Sequence, residues 1–276
     1  MSVLAAQTQF RQEFIAGFEQ TKSLLRQSVT TEAQIKGNSA IFAVADSGSA
    51  TAVTRGANGL IPARTDTIAQ NTATLVEWHD LVRRTDFDIF ASQGDGRRLM
   101  RDTSMAVVNR KIDSDILTIL ATATQTTGTT TTADLDLVMY AVTILGNNEV
   151  PMDNNITGVI TPAFYAYLMA TAEFASADFV NNKPFTSGQM MFRWAGVNWI
   201  VHPNLTGKGT NAEKCYLYHK SAIGHAVNTA GIQTKIGYDD EQAYSFARCS
   251  IDMGSVLLQN TGVVVITHDG SGYAAV

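Results

Sequence analysis

Residues 96 to about 122 carry one unbroken helical pattern, and no other feature narrows the possible folds of this chain as much. Met105, Val108, Ile112, Ile116, Ile119 and Leu120 fall on one stripe, with Arg97 and Arg101 spaced i+4 and Arg110 and Asp113 spaced i+3 on polar positions. Ser92 and Asp95 both stand where a cap is wanted, and the spacing does not choose between them. At ~1.5 Å per residue the helix is expected to reach roughly 40 Å, more than twice the usual mean of about 11–12 residues. A helix of that length is the beam of an architecture. It ends in a Thr-dominated run at 122–132 around Gly128. β-branched residues and glycine do not extend a helix, so a connector or hinge is expected there.

The segments around the beam are of two kinds. Upstream, residues 9–27 read as an amphipathic helix, with Phe10, Phe14 and Phe18 at i+4 and Leu24 and Leu25 beyond. It is either an ordinary docked helix or an arm that packs on a neighbouring subunit. Between 37 and 75, Gly37, Gly48, Gly56 and Gly59 punctuate Ala, Ser and Thr, and the pieces 41–45, 60–65 and 72–78 have strand character. This stretch has too few large apolar residues to bury a face of its own. It is a loop or an extended hairpin that needs a partner surface.

Downstream the pattern alternates. Leu135, Val138, Val142 and Leu145 mark a second helix with Thr132 as cap and Asp134 in its first turn. Residues 156–160 form a short buried strand, and Thr161-Pro162 opens a helix to about 172. Residues 191–201 suit a hairpin turning at Ala195-Gly196 and closed by His202-Pro203. A strand is expected at 215–218 and a short turn of helix at 221–226. Strands follow at 244–253, 255–258 and 263–267, with a turn at Asn260-Thr261-Gly262. There is no internal repeat.

Few residues are spaced for chemistry. His79, His202, His219 and His225 are scattered without metal-helix pairing, and His268 sits near the C-terminal end. Gly207-Lys208-Gly209-Thr210 has His202 where a P-loop needs glycine and Gly209 where it needs Ser or Thr, so it reads as a polar turn. Asp46-Ser47-Gly48-Ser49 resembles the surroundings of a protease nucleophile, but a glycine-rich loop holds a base poorly. Asp239, Asp240 and Glu241 form an exposed acidic turn, or else a site for a divalent ion or for a basic patch on a neighbour. Cys215 and Cys249 lack metal or disulfide spacing and suit a reducing compartment. A net charge of -5 opposes nucleic-acid reading. Charged residues are only 16%, which leaves a polar surface that costs less to desolvate against neighbours. No basic and apolar leader opens the chain and no apolar run approaches the ~18–20 residues of a membrane span, so a cytosolic product is expected. No cofactor and no metal is expected.

Three groups of residues carry a family likeness. The first is Thr85-Asp86-Phe87-Asp88-Ile89-Phe90, then Gln93 and Asp95, leading into Val108-Asn109-Arg110-Lys111-Ile112-Asp113-Ser114-Asp115-Ile116-Leu117. The second is Asn148-Glu149-Val150-Pro151 followed by Gly158-Val159-Ile160-Thr161-Pro162-Ala163-Phe164-Tyr165. The third is Ala222-Ile223-Gly224-His225-Ala226, then Gly254-Ser255-Val256 and Gly262-Val263-Val264-Val265-Ile266. Their order and spacing over about 10–266 resemble the major capsid proteins of tailed bacteriophages with the Hong Kong 97 fold.

The resemblance implies an α+β chain with an N-terminal arm at 1–36, an E-loop hairpin at 37–78 and a peripheral (P) domain with the spine helix at 79–127. An axial (A) domain at 128–235 and return strands at 236–276 complete it. It further implies no catalysis, self-assembly into pentamers and hexamers of an icosahedral head, and weak, non-specific contact with packaged double-stranded DNA. A separate scaffolding protein and a portal are the implied partners, no membrane is involved, and assembly in the host bacterial cytoplasm yields the virion. Phe10, Phe14 and Phe18 in the arm and Arg55, Arg64 and Asp66 in the E-loop are the candidate inter-subunit contacts. An encapsulin-like compartment shell is the alternative within the fold. A soluble hydrolase using Ser47 or one of the scattered histidines is the alternative outside it.

Overall fold

The computed structural model describes residues 22–31, 34–47, 50–65, 67–85, 87, 96–128, 130–171, 191–228 and 231–273. Phe10, Phe14, Phe18 and Asp66 lie outside these, as do most of the expected helix at 9–27 and most of the 85–95 entry to the beam. The described chain is a mixture of helix and sheet: β1 (Gln34–Lys36), β2 (Ser39–Asp46), β3 (Thr67–Thr74), β4 (Val76–Thr85), α1 (Gly96–Leu120), α2 (Leu135–Asn147), β5 (Ile156–Ile160), α3 (Pro162–Ala170), β6 (Met191–Trp194), β7 (Val197–Val201), β8 (Glu213–His219), β9 (Ile223–Val227), β10 (Gln233–Asp239), β11 (Tyr244–Leu257) and β12 (Val263–His268). The chain divides into two compact units, one of 1–23, 77–112 and 229–252, the other of 24–76, 113–228 and 253–276. α1 contributes residues to both.

In the first unit, β11 lies between β10 and β4. Ser245, Ala247, Cys249 and Ile251 of β11 are buried, while Arg248 between them is exposed. The strand therefore buries one face and presents the other, as a period of two requires. Ser104 of α1 donates to the Asp80 carbonyl at 3.3 Å, and Lys111 Nζ stands 3.8 Å from the centre of the Trp78 ring. Helix and strand are joined by these contacts.

The second unit is built on a five-stranded sheet of order β12-β8-β5-β7-β6, in which only β5 and β7 run parallel. All five residues of β5 are buried, Thr157 and Gly158 among them, so the strand is covered on both faces. Thr161 accepts the Phe164 N–H and Pro162 takes the first helical position, so α3 starts where its sequence signal stands. The β6–β7 turn places Ala195 and Gly196 at φ of 51° and 77°, the left-handed pair a two-residue hairpin needs.

Trp199, Tyr216, Tyr218 and Phe164 are the largest fully buried side chains. Gly158 pairs with Trp199, and a Cβ at Gly158 would stand 2.4 Å from the indole ring. Gly158→Ala is expected to lower the unfolding free energy by about 1–3 kcal/mol, because the enclosed ring has nowhere to move. Urea unfolding of the variant measures this, and an unchanged midpoint would contradict the packing.

Several sequence expectations meet a different outcome. No strand forms at 60–65; the paired strands are β2 and β3, with the register running from Ser39↔Thr74 to Asp46↔Thr67. The short turn of helix expected at 221–226 is a 3-10 turn at Lys220–Ala222, and from Ile223 the chain is β9. Asp134, not Thr132, caps α2, its carboxylate accepting the Leu137 N–H at 2.8 Å. The segments 244–253 and 255–258 are one continuous strand, whose Gly254 passes beneath Thr74, where a Cβ would meet the carbonyl oxygen at 2.3 Å. Asp113, which its spacing from Arg110 assigns to the polar side, is buried.

Candidate assembly surface

The β2–β3 hairpin is anchored at one end and open at the other. At the base, Ala40, Phe42 and Ala73 are buried with Ala226 in one apolar cluster, against which Leu75, Val256 and Leu258 pack. The Phe42 ring occupies the space a side chain at Gly224 would take, a Cβ there standing 2.8 Å away. The Leu75 N–H donates to the Asn38 carbonyl at 2.7 Å, and Asn71 donates to that of Leu258 at 3.3 Å. Beyond Val44 the burial stops. From 51 to 65 every residue is exposed and none is in a strand.

This outer segment still has local order. The Gly59 N–H donates to the Gly56 carbonyl at 2.8 Å, the Gly56 N–H to that of Leu60 at 3.0 Å, and Arg55 Nη1 to that of Gly59 at 2.9 Å. Gly59 has φ of 71°, which a side chain resists. Arg55 thus braces its own turn, a role its position in the sequence does not reveal. Arg64 is exposed on the same segment. Val53, Leu60 and Ile61 present apolar side chains that are 60%, 72% and 63% exposed, and Ile68 follows at 67%. Apolar side chains grouped on a projecting segment mark a contact surface.

Behind this surface lie buried polar clusters that, taken singly, suggest chemistry. Asp113 accepts the N–H groups of Leu24 and Leu25 at 3.1 and 3.2 Å and faces His202 Nε2 at 3.3 Å. His202 Nδ1 accepts the Asn204 N–H, so Nε2 carries the ring proton and donates it to Asp113. Glu213 is fully buried and accepts from the Thr161 hydroxyl and the Gly209 N–H, both at 2.5 Å. The glycine turn at 207–210 therefore holds a carboxylate of its own chain. His268 Nδ1 is 3.6 Å from Glu213, beyond hydrogen-bond range, and its ring stacks on Phe164. Burial, the larger effect, outweighs the Glu213 charge and lowers the His268 pKa.

In a third cluster, Ser255 donates to Asp115 at 2.5 Å and so must accept from His225 Nδ1 at 2.8 Å. His225 Nε2 is left buried without a partner, and burial lowers the ring pKa to about 4 despite the nearby Asp115. The unfolded chain takes up this proton first, near pH 6.5. Stability held above that pH is therefore lost as pH falls from 6.5 towards 4, by about 3 kcal/mol in all. Urea midpoints across this range should slope less steeply in His225→Gln; equal slopes would contradict the assignment.

None of these clusters is a working active site. Asp113, His202, Glu213, His225 and His268 are sealed from solvent. The nearest approach to a catalytic triad is Asp153, His219 and Ser221, with His219 bonded to Asp153 at 3.1 Å and to the Ser221 hydroxyl at 2.7 Å. However, the Ser221 N–H donates to the same His219 nitrogen, which makes the pair a local cap on the 3-10 turn. Ser47 is exposed; His79, His202, His219 and His225 are engaged by other groups, and His268 is sealed from solvent. Burial pushes the Cys215 thiol up to about 12, which leaves it inert as a nucleophile. Among the described residues, no group of His, Cys, Asp and Glu could hold a metal ion, and no helix is long and apolar enough to cross a membrane.

A hairpin anchored at its base, with exposed apolar side chains on the segment beyond, is a geometry that suits an assembling subunit. The family model for phage capsid protein matches residues 3–270. The chain belongs to the phage capsid protein family. The capsid protein has the Hong Kong 97-type fold, and solved phage capsid chains share it at low sequence identity. A Mycobacterium phage Che8 chain is 17% identical with a TM-score of 0.72, the alignment covering 92% of this chain and 97% of that one. A chain of the cyanophage P-SCSP1u capsid is 14% identical at 0.69, covering 94% and 91%. One from Microbacterium phage Oxtober96 is 13% identical at 0.68, covering 96% and 97%. No curated protein matches. As a major capsid protein the chain is a structural component of the virion and not an enzyme. The encapsulin-like and hydrolase alternatives are not favoured.

Proposed function

We propose that this capsid protein assembles with copies of itself into pentamers and hexamers that close as an icosahedral head around a double-stranded DNA genome. The observation that carries the reading is the anchored β2–β3 hairpin with its exposed segment at 51–65, which acts as an E-loop lying over an adjacent subunit. Within that reading, 1–36 is the arm, 37–78 the E-loop, 79–127 the P-domain, 128–235 the A-domain and 236–276 the return strands. Phe10, Phe14 and Phe18 contact neighbours from the arm, and Arg55, Arg64 and Asp66 do so from the E-loop. Arg55 would act indirectly, by holding the turn at Gly56–Leu60 in the shape a neighbour meets.

Individually weak contacts repeated around closed rings give a shell that resists internal pressure. A net charge of -5 suits a wall that touches DNA without gripping it. A separate scaffolding protein and a portal complete the partners, and assembly takes place in the host bacterial cytoplasm.

Expression of the full chain, alone and with the scaffolding protein, followed by electron microscopy tests the reading. Closed shells or free capsomers are expected. A monomer that stays monomeric at high concentration in both cases would refute it. Arg64→Ala is expected to lower shell yield while leaving the unfolding midpoint within about 0.5 kcal/mol of the parent, since the residue is exposed.

A further inference from the structure

The outer face of the β10–β11 ribbon carries two cations that have no ion-pair partner among the described residues. Lys235 and Arg248 are directly opposite each other in the antiparallel register, so their side chains share one face. Both are exposed, and neither has an ion-pair partner among the described residues. Like charges placed across a strand pair are destabilising, so the fold tolerates this pair at a cost.

Apolar and aromatic groups flank the two cations. Tyr244 and Phe246 alternate with Arg248 on the same face of β11, their rings 6.5 Å apart at 68°. From the β4 side, Arg83 covers the Tyr244 ring at 4.9 Å, which places Arg83, Leu81 and His79 on this face too. Leu81 is 44% exposed, and His79 is engaged by Glu77 at 3.0 Å. Arg83 is occupied at the ring. Among the described residues, Lys235 and Arg248 stand without an ion-pair partner beside an apolar strip.

The same ribbon carries a complementary shape at its end. Asp239 accepts the N–H groups of Glu241 and Gln242 at 3.0 and 3.1 Å, which locks the connecting turn. Asp240 and Glu241 project from that turn fully exposed, again without an ion-pair partner among the described residues. The chain from Lys235 to Asp239 runs along a strand, so the turn is roughly 13 Å from the cation pair. An acidic turn at that distance cannot neutralise its own ribbon.

We infer that the acidic turn at Asp240 and Glu241 of one subunit docks on the Lys235–Arg248 face of another. One surface then meets a different surface on the next copy, a heterologous contact of the kind that closes into rings when its rotation is right. The occupant is a second copy of this chain, because both halves of the complementary pair stand on one ribbon and each is unsatisfied alone. The contact rests on the assembly reading and adds to it an electrostatic joint separate from the 51–65 segment.

Charge reversal tests the joint. Lys235→Glu with Arg248→Glu makes one variant chain, and Asp240→Lys with Glu241→Lys makes a second. Each alone is expected to lose about tenfold or more in shell yield at low salt, because like charges then face each other in every copy. An equimolar mixture of the two is expected to recover assembly in part, since alternating chains match every contact in a hexamer and all but one in a pentamer. All four side chains are exposed, so circular dichroism and unfolding midpoints of the unassembled variants should match the parent. Reversed chains that assemble as well as the parent, or a mixture no better than its components, would overturn the contact. A parent chain that forms no shell would overturn the assembly reading and the contact with it.

Discussion

Replacing Asp113 by alanine is expected to lower the stability of the unassembled chain by about 3–5 kcal/mol, the usual cost of removing one partner from a buried, hydrogen-bonded charge site. The carboxylate is 1% exposed and accepts three donors: the N–H groups of Leu24 and Leu25 and the Nε2–H of His202, itself 1% exposed. Without it, the N–H of Leu25, the part-buried N–H of Leu24 and the imidazole N–H of His202 lose their acceptor. For a chain of this size the thermal midpoint should fall by on the order of 10 °C.

Asp113→Asn keeps the volume and one acceptor oxygen, so it should lose less. The ordering separates loss of the acceptor from loss of volume. Two variants of equal stability would show that the site contributes packing alone. Because Asp113 stands on α1 and holds the turn that enters at Leu24, this carboxylate ties the start of the described chain to the beam.

The second large effect concerns assembly instead of folding. A triple variant, Val53→Ser, Leu60→Ser and Ile61→Ser, is expected to fold like the parent and to fail as a shell subunit. The three side chains already face solvent, and surface changes of this kind usually move stability by about 0.5 kcal/mol or less. If the 51–65 segment lies on a neighbour, each apolar anchor contributes about 2 kcal/mol there, roughly thirtyfold in the association constant of one contact. Three anchors repeated around every capsomer leave no route to closure. Sedimentation of the variant should show free subunits or small oligomers beside parent shells. Shells at parent yield would remove this segment from the interface.

The contrast between these variants shows where the sequence is legible. α1, β5, the Thr161-Pro162 start of α3 and the β6–β7 turn are local structures, each set by a few neighbouring residues. The periodicity, the cap and the left-handed turn pair therefore identify them directly. Asp113 is not local. It sits at i+3 from Arg110 like any exposed helix pair, and its partners Leu24 and His202 are 89 positions away on either side. No window along the chain contains that cluster.

β10 is hidden for a different reason. Its alternation rests on Ile236 and Tyr238 alone, separated by Gly237, and in this edge strand both are exposed, so the signal of a buried face is weak. The 51–65 segment is legible as something that needs a partner, because it lacks the apolar residues to bury itself. Its lack of strand is not legible, since 60–65 has strand-like composition and only the β2–β3 register shows that pairing stops at Thr67. The acidic turn at 239–241 is visible as a cluster. Its complement becomes visible only when the ribbon pairs Lys235 with Arg248.

A cryo-electron-microscopy reconstruction of shells formed by the full chain will show where residues 51–65 lie. A closed icosahedral shell is expected, with Val53, Leu60 and Ile61 buried against an adjacent subunit. A shell in which that segment touches only its own subunit, or a chain that forms no shell under any condition, would contradict that expectation.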